Sequence, residues 1–194
     1  MAVGEFILLG TVPGAELPFQ AQVRFEPTRN SNLVSVTTRM AVEVDGVTVE
    51  IEAKTKELLI DGEVTLIDPE IGALDITGDG TADVYRVIDE EGKETYFIVL
   101  NELNEQLMVG LFDAGFMNVC VFLDESRSGA VQGLMGNADG DDQNEFALRD
   151  GTPFAEEPEF DVLYGEFADS WRLDDPSVAG STKTTVFTYE DGQD

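Results

Sequence analysis

Apolar and polar residues alternate with a period of two through most of this chain, and Asp-Gly pairs punctuate the alternation. Phe19, Ala21, Val23 and Phe25 alternate with Gln20, Gln22, Arg24 and Glu26, and Val34, Val36, Thr38, Met40, Val42 and Val44 continue the habit. Successive side chains of a strand point to opposite faces, so the pattern predicts half-buried strands and does not suit a helix. Asp45-Gly46 separates the second run from Val47, Val49 and Ile51, and Asp61-Gly62 separates residues 58–60 from 64–66. Asp-Gly between alternating runs signals a tight hairpin, because both turn residues must adopt positive φ. Further strands are read at 84–88, 95–100, 106–112 and 117–123. Helix is expected only as short turns, near 129–134 and 160–167. These elements predict an all-β fold, an antiparallel β-sandwich.

The periodic chain ends near residue 173. Asp174-Asp175-Pro176 stops the last element. One domain over 1–173 is therefore expected, followed by a tail or linker over 174–194, with a strand at 184–189 as an alternative for part of it. At the other end, Phe6-Ile7-Leu8-Leu9 reads as a strand with five residues before it. Its usual pairing partner is expected to be missing. This predicts an unpaired N-terminal edge, and a protein partner or self-association through that edge.

Charge narrows the function. The chain of 194 residues carries 40 acidic and 11 basic side chains, a formal net charge of −29. Nucleic acid is excluded as a partner, since phosphate binding rests on Lys and Arg. No apolar stretch approaches the ~20 residues of a membrane span, so membrane insertion is not expected. There is no histidine, which removes Ser-His and Cys-His catalysis and His-ligated zinc. The single cysteine, Cys120, allows no internal disulfide. It lies in an apolar run and is expected to be a buried, inert thiol.

Two loops gather oxygen-bearing side chains around glycines. In the segment from Gly136 to Phe146, the candidate metal ligands are Asn137, Asp139, Asp141, Asn144 and Glu145. Hard cations such as Ca²⁺ take six to eight oxygens from a loop flexible enough to wrap them. Asp141 would offer a backbone or side-chain oxygen, and Glu145 is long enough to chelate with both. The plain alternative is a solvated Asn/Asp/Gly turn. The second loop holds Asp75, Thr77, Asp79 and Asp83 around Gly78 and Gly80. It imitates an Asp-x-Asp-x-Asp-Gly cation loop without the flanking helices and later Glu of an EF-hand, so a hairpin turn competes with a second metal site. Trp171, the only tryptophan, reads as a core anchor, and Ser170 beside it as a backbone hydrogen-bonding group. Asp150-Gly151 reads as a further tight turn.

These residues carry a resemblance. Gly133-Leu134-Met135-Gly136-Asn137-Ala138-Asp139-Gly140, followed by Asn144-Glu145-Phe146, resembles the Gly-Leu-Cys-Gly-Asn-x-Asp-Gly…Asn-Asp signature of von Willebrand factor type D domains. Phe167 to Leu173 is similar to that family's later Phe-Gly-x-Ser-Trp-x-Val. Gly4-Glu5-Phe6, Phe19–Phe25 and Asp61-Gly62-Glu63-Val64 resemble its strands and central hairpin, so the resemblance spans residues 3–173. The family's opening Gly-Asp-Pro-His…Phe-Asp-Gly segment, which supplies one acidic metal ligand, has no counterpart here. Its signature cysteines are replaced by Gln132 and Met135, as in disulfide-free bacterial versions. Its terminal Asp is Glu145.

The resemblance implies a non-enzymatic, secreted or cell-surface module, stabilised by Ca²⁺ and serving adhesion or assembly within a larger protein. A different class remains open from the residues alone. With no histidine, a β-sandwich enzyme would rely on two carboxylates, as a glycoside hydrolase does, or the chain would be a carbohydrate-binding module. One Trp and four Tyr offer few sugar-stacking faces.

Overall fold

A computed structural model describes residues 2–14, 18–28, 31–70, 72–102, 104–141, 144–154, 159–173 and 185–187. For residues 31–33 only the backbone is described. The strands are β1 (Gly4–Thr11), β2 (Phe19–Thr28), β3 (Ser31–Val44), β4 (Val47–Glu52), β5 (Leu58–Ile60), β6 (Glu63–Thr65), β7 (Leu74–Asp75), β8 (Ala82–Ile88), β9 (Glu94–Leu100), β10 (Glu105–Phe112), β11 (Phe116–Phe122) and β12 (Val131–Gln132). All described pairings are antiparallel, as the alternation predicts. Both Asp-Gly pairs make the expected hairpin turns, with φ of 48° and 79° at Asp45 and Gly46 and 50° and 81° at Asp61 and Gly62.

The two layers expected of a sandwich come from one sheet that forks at β3. On one side β3 pairs with β2 from Ser31 to Val44. On the other it meets β11 at Thr37 and β4 from Arg39 to Val44. The register slips at the fork: Arg24 faces Arg39 but Phe25 faces Thr37, leaving Thr38 as a bulge. A bulge bends its strand and sharpens the local twist. The Thr38 carbonyl is thereby turned to accept the Ala53 amide at 2.9 Å. One leaf then runs β4-β5-β6 and the other β11-β10-β9-β8-β7. Their inner faces share one apolar core: Met40 and Val42 of β3, Val49 and Ile51 of β4, Leu58 of β5, Ile98 of β9 and Leu107 and Val109 of β10 are all buried.

Three expectations are corrected. The flank of β1 opposite β2 is not an unpaired edge. Gly10 and Thr11 pair with Gln132 and Val131 of β12. Leu134 and Met135 donate their amides to the Ile7 and Leu8 carbonyls, the Ile7 amide donates to the Trp171 carbonyl, and the Leu173 amide donates to the Glu5 carbonyl. The chain thus covers this flank of the strand from two later segments. Second, the segment 129–134 contains β12 rather than a helical turn, because it is recruited to that flank. Third, Cys120 is only partly buried, since β11 turns it to the outer face.

The expected tail is also not wholly detached. Most of 174–194 lies outside the described residues, but 185–187 rest on the sheet. The Val186 amide donates to Gln22 Oε1 at 3.0 Å. Phe187 is buried, with the Arg39 guanidinium 5.4 Å from its ring centroid. No strand is assigned over 185–187. The helical segment 160–170 is the expected one, with a π-helical centre at Leu163–Phe167. Among the described residues no helix is long and apolar enough to cross a membrane.

Candidate metal centre

The two segments that cover β1 carry the two motifs picked out by sequence, and their meeting positions the candidate loop. Gly133 lies hard against β1, where a β-carbon would collide with the Leu8 carbonyl. That close approach requires glycine. From Gly136 the chain leaves the sheet, runs through the Asn/Asp loop, and returns at Phe146. Phe146 stands edge-on to Phe167, with centroids 5.6 Å apart. Residues 146–154 then form a small hairpin: Phe154 donates to the Phe146 carbonyl and Leu148 to the Thr152 carbonyl. Its turn is at Asp150-Gly151, as expected, with the Thr152 amide on Asp150 Oδ1 at 2.9 Å.

Trp171 fixes this hairpin to the body. It is buried with Ile7, Phe167 and Leu173, and its indole N–H donates to the Ala147 carbonyl at 3.2 Å. Ser170 donates to the Phe167 carbonyl and accepts the Arg149 amide. Both residues therefore have the structural roles read from sequence. The start of the loop is held by a buried ion pair. Arg127 Nε donates to both carboxylate oxygens of Glu105 at 3.0 Å, and the Asp124 amide adds a third contact. Two residues further on, the Gly129 amide donates to the Asn137 carbonyl at 3.1 Å. Sequence reading missed this pair, since a lone Arg and a lone Glu on different elements leave no local signal.

Within the loop, Asn137, Asp139 and Asn144 converge. Asp139 Oδ2 accepts the side-chain amides of Asn137 at 3.2 Å and Asn144 at 2.9 Å. The Asn137 amide also donates to Asn144 Oδ1 at 2.8 Å. Asp139 Oδ1 accepts the Asp141 backbone amide, and Asn137 Oδ1 accepts that of Asp139. Ala138 takes a positive φ of 56°, which lets the turn close. These contacts hold the Asp139 carboxyl below the usual carboxylate range, the Asn144 amide contributing most, then the Asp141 amide, with the Asn137 amide adding less. It stays anionic and exposed to solvent.

Glu145 and Asp141 stand differently. Glu145 Oε2 accepts the Asn137 backbone amide at 2.8 Å, tucked under Gly136, so that oxygen braces the loop from below. Asp141 enters through its backbone, giving its amide to Asp139 and its carbonyl to Asn144. A cavity of about 360 Å³ opens beside Asn137, Asn144, Glu145 and Trp171.

The oxygen-rich donor set fits a hard cation. Among the described residues no three acidic side chains converge closely enough to hold an ion. An ion here would therefore use asparagine oxygens beside the carboxylate. A half-turn of the Asn137 and Asn144 amides would bring Oδ1 to the side of Asp139 where their nitrogens now point.

The second loop is closed by its own donors. Asp75 Oδ1 accepts the amides of Thr77 and Gly78, and Oδ2 that of Gly80. Asp79 Oδ1 accepts the Thr81 amide and the Thr77 hydroxyl. These contacts from Thr81 and Thr77 hold the Asp79 carboxyl low. Asp83 accepts the Asn101 side-chain amide at 2.8 Å. The structure thus presents these residues as the caps of a hairpin turn.

No curated protein matches the chain. A family model, that of the von Willebrand factor type D domain, matches residues 11–152. The match spans β2 to β12 and the whole loop from Gly136 to Phe146. The chain belongs to the von Willebrand factor type D domain family.

Proposed function

We propose that the chain is a non-catalytic extracellular module, held in shape by one Ca²⁺ and serving adhesion or assembly within a larger secreted or surface protein. Domains of this family occur in extracellular proteins and take part in protein interactions. The observation that carries the calcium reading is the convergence of Asn137, Asp139 and Asn144 above the brace supplied by Glu145. Asp139 and the two asparagine oxygens would be ligands. Asp141 would add an oxygen, and Glu145 its second carboxylate oxygen. The chemistry is electrostatic: the ion cancels repulsion among the loop's carboxylates and replaces amide contacts with a fixed oxygen shell. Extracellular modules work with weak sites, of Kd ~10⁻⁴–10⁻³ M, because their surroundings hold calcium.

The Asp75–Asp83 turn is a weaker candidate for a second ion, as it would have to exchange its amide contacts for metal bonds.

A ligand bound only by the folded state stabilises it by about 1.4–2.7 kcal/mol when present at ten to a hundred times its Kd. Each kcal/mol moves the melting temperature of a domain of this size by about 2–4 °C. Chelation should therefore lower the melting temperature by roughly 3–10 °C, and Asp139→Ala should abolish most of that difference. Trp171, close to the loop, gives an independent fluorescence readout. Equal melting in chelator and in millimolar Ca²⁺, at matched ionic strength, would overturn the reading.

A further inference from the structure

We infer that the groove between the start of β3 and the helical segment 160–165 is a docking site for a basic, extended peptide segment of a partner protein. The groove is large, about 800 Å³, and is lined by Val34, Ser35, Glu159, Phe160, Asp161 and Tyr164. Its wall is an aromatic pair. Phe160 and Tyr164 lie 4.4 Å apart between ring centroids, yet Phe160 is 75% exposed. Val34 and Tyr164 are exposed beside it, and a contiguous apolar patch of this kind marks a surface for contact. The helix winds as a π-helix from Leu163 to Phe167, a rare geometry that is frequent at binding sites.

Charge selects the occupant. Glu159 and Asp161 flank the aromatic pair, and among the described residues neither pairs with a Lys or Arg. With 40 acidic residues against 11 basic ones, the whole molecule draws cations toward this rim. Carboxylates accept hydrogen bonds and donate none; Lys and Arg donate and never accept. Arg also stacks on aromatic faces, and Lys sits over them. A sugar needs donors as well as acceptors, and the Ser35 and Tyr164 hydroxyls are the only side-chain donors among these lining residues. The groove therefore suits Arg or Lys heads between carboxylates and rings, with the stems along Val34. The volume admits several residues rather than one side chain. This deepens the adhesive-module reading, on which it rests for the existence of a partner, and is independent of the calcium loop.

The test is fluorescence anisotropy of a labelled, capped peptide of alternating arginine and serine, titrated with the full chain in fixed Ca²⁺ and again in chelator. Phe160→Ala leaves the net charge alone, so diffuse attraction to an acidic protein is untouched. It should weaken binding about fivefold to tenfold. Glu159→Gln with Asp161→Asn should weaken it similarly and flatten its salt dependence. Glu63→Gln with Glu90→Gln, the same charge change on exposed residues outside the groove, should leave affinity within about twofold. The inference is overturned if Phe160→Ala binds like the parent, if the two charge pairs cost the same, or if the peptide does not bind. It is equally overturned if a neutral oligosaccharide binds through Phe160 and the peptide does not, which would make the groove a sugar site. The melting shift with Ca²⁺ on the same sample separates failure here from failure of the calcium reading.

Discussion

Glu145 lies directly beneath Gly136, so that a β-carbon on Gly136 would take the place of the carboxylate oxygen that accepts the Asn137 amide. The two positions are therefore one device. Gly136→Ala meets a φ of 88°, which costs an L-residue about 1–2 kcal/mol. It also expels Glu145, leaving a partly buried N–H unpaired at about 1–3 kcal/mol more. Glu145→Ala should show only the second cost. The double variant should then lose less than the sum of the two single ones, because the collision has no partner left. Chemical denaturation in chelator measures this apart from any ion effect. Strict additivity would mean that Glu145 does not brace the loop.

The Arg127–Glu105 pair is the other support of the loop, and it is buried on both sides. Removing one partner strands a charge in low dielectric, at about 3–5 kcal/mol. Arg127→Ala should lower stability by that amount, and Arg127→Lys should restore only part, since a point charge cannot match the Arg Nε contact to both oxygens. A loss below 1 kcal/mol for Arg127→Ala would show that water replaces the pair.

The strands of this fold were legible because alternation and Asp-Gly turns are local. Phe19–Val44, both hairpins and β8 to β11 follow from neighbours in sequence. The fork at Thr38 was not legible, since a bulge is set by which strand lies opposite. Covering of the β1 flank depends on residues about 120 or more positions away, joined by backbone bonds that leave no mark on side-chain type. In the candidate site, the motif set Asn137, Asp139 and Asn144 within one short loop, and the fold brings their side chains into contact. The downward turn of Glu145 depends on the absent β-carbon of Gly136, a relation visible only in three dimensions.

Phe187 gives the tail a foothold that periodicity could not reveal, because a single buried residue has no period. Fully burying a Phe contributes about 1.5–3 kcal/mol, and its contact with the Arg39 guanidinium adds to that. Phe187→Ala should therefore destabilise the domain by about 1–3 kcal/mol. Hydrogen exchange should show the Val186 amide protected in the parent, where it donates to Gln22, and unprotected in the variant. An unprotected Val186 in the parent would make the segment a simple linker.

Tyr96 should make the domain sensitive to alkali. Its hydroxyl is buried and donates to Glu94 Oε1 at 2.9 Å, with the Lys56 carbonyl at 3.5 Å, and Arg86 Nε donates to the same Glu94 oxygen at 2.5 Å. Burial, then the bond to Glu94 and its negative charge, raises the phenol well above its ordinary value of 10, and Arg86 opposes this only weakly. The folded state therefore holds the proton more tightly than the unfolded chain. The resulting stability is fully present below pH 10 and is lost as pH climbs from there through the folded value. The stability of the parent should fall steeply above pH 10, whereas that of Tyr96→Phe, which has no proton to lose there, should fall less. Below pH 9 the order should reverse, because Tyr96→Phe lacks the bond to Glu94 and leaves a buried carboxylate with one partner fewer, at about 1–2 kcal/mol. Parallel curves for the two proteins across pH 8–11 would show that Tyr96 titrates as an ordinary phenol.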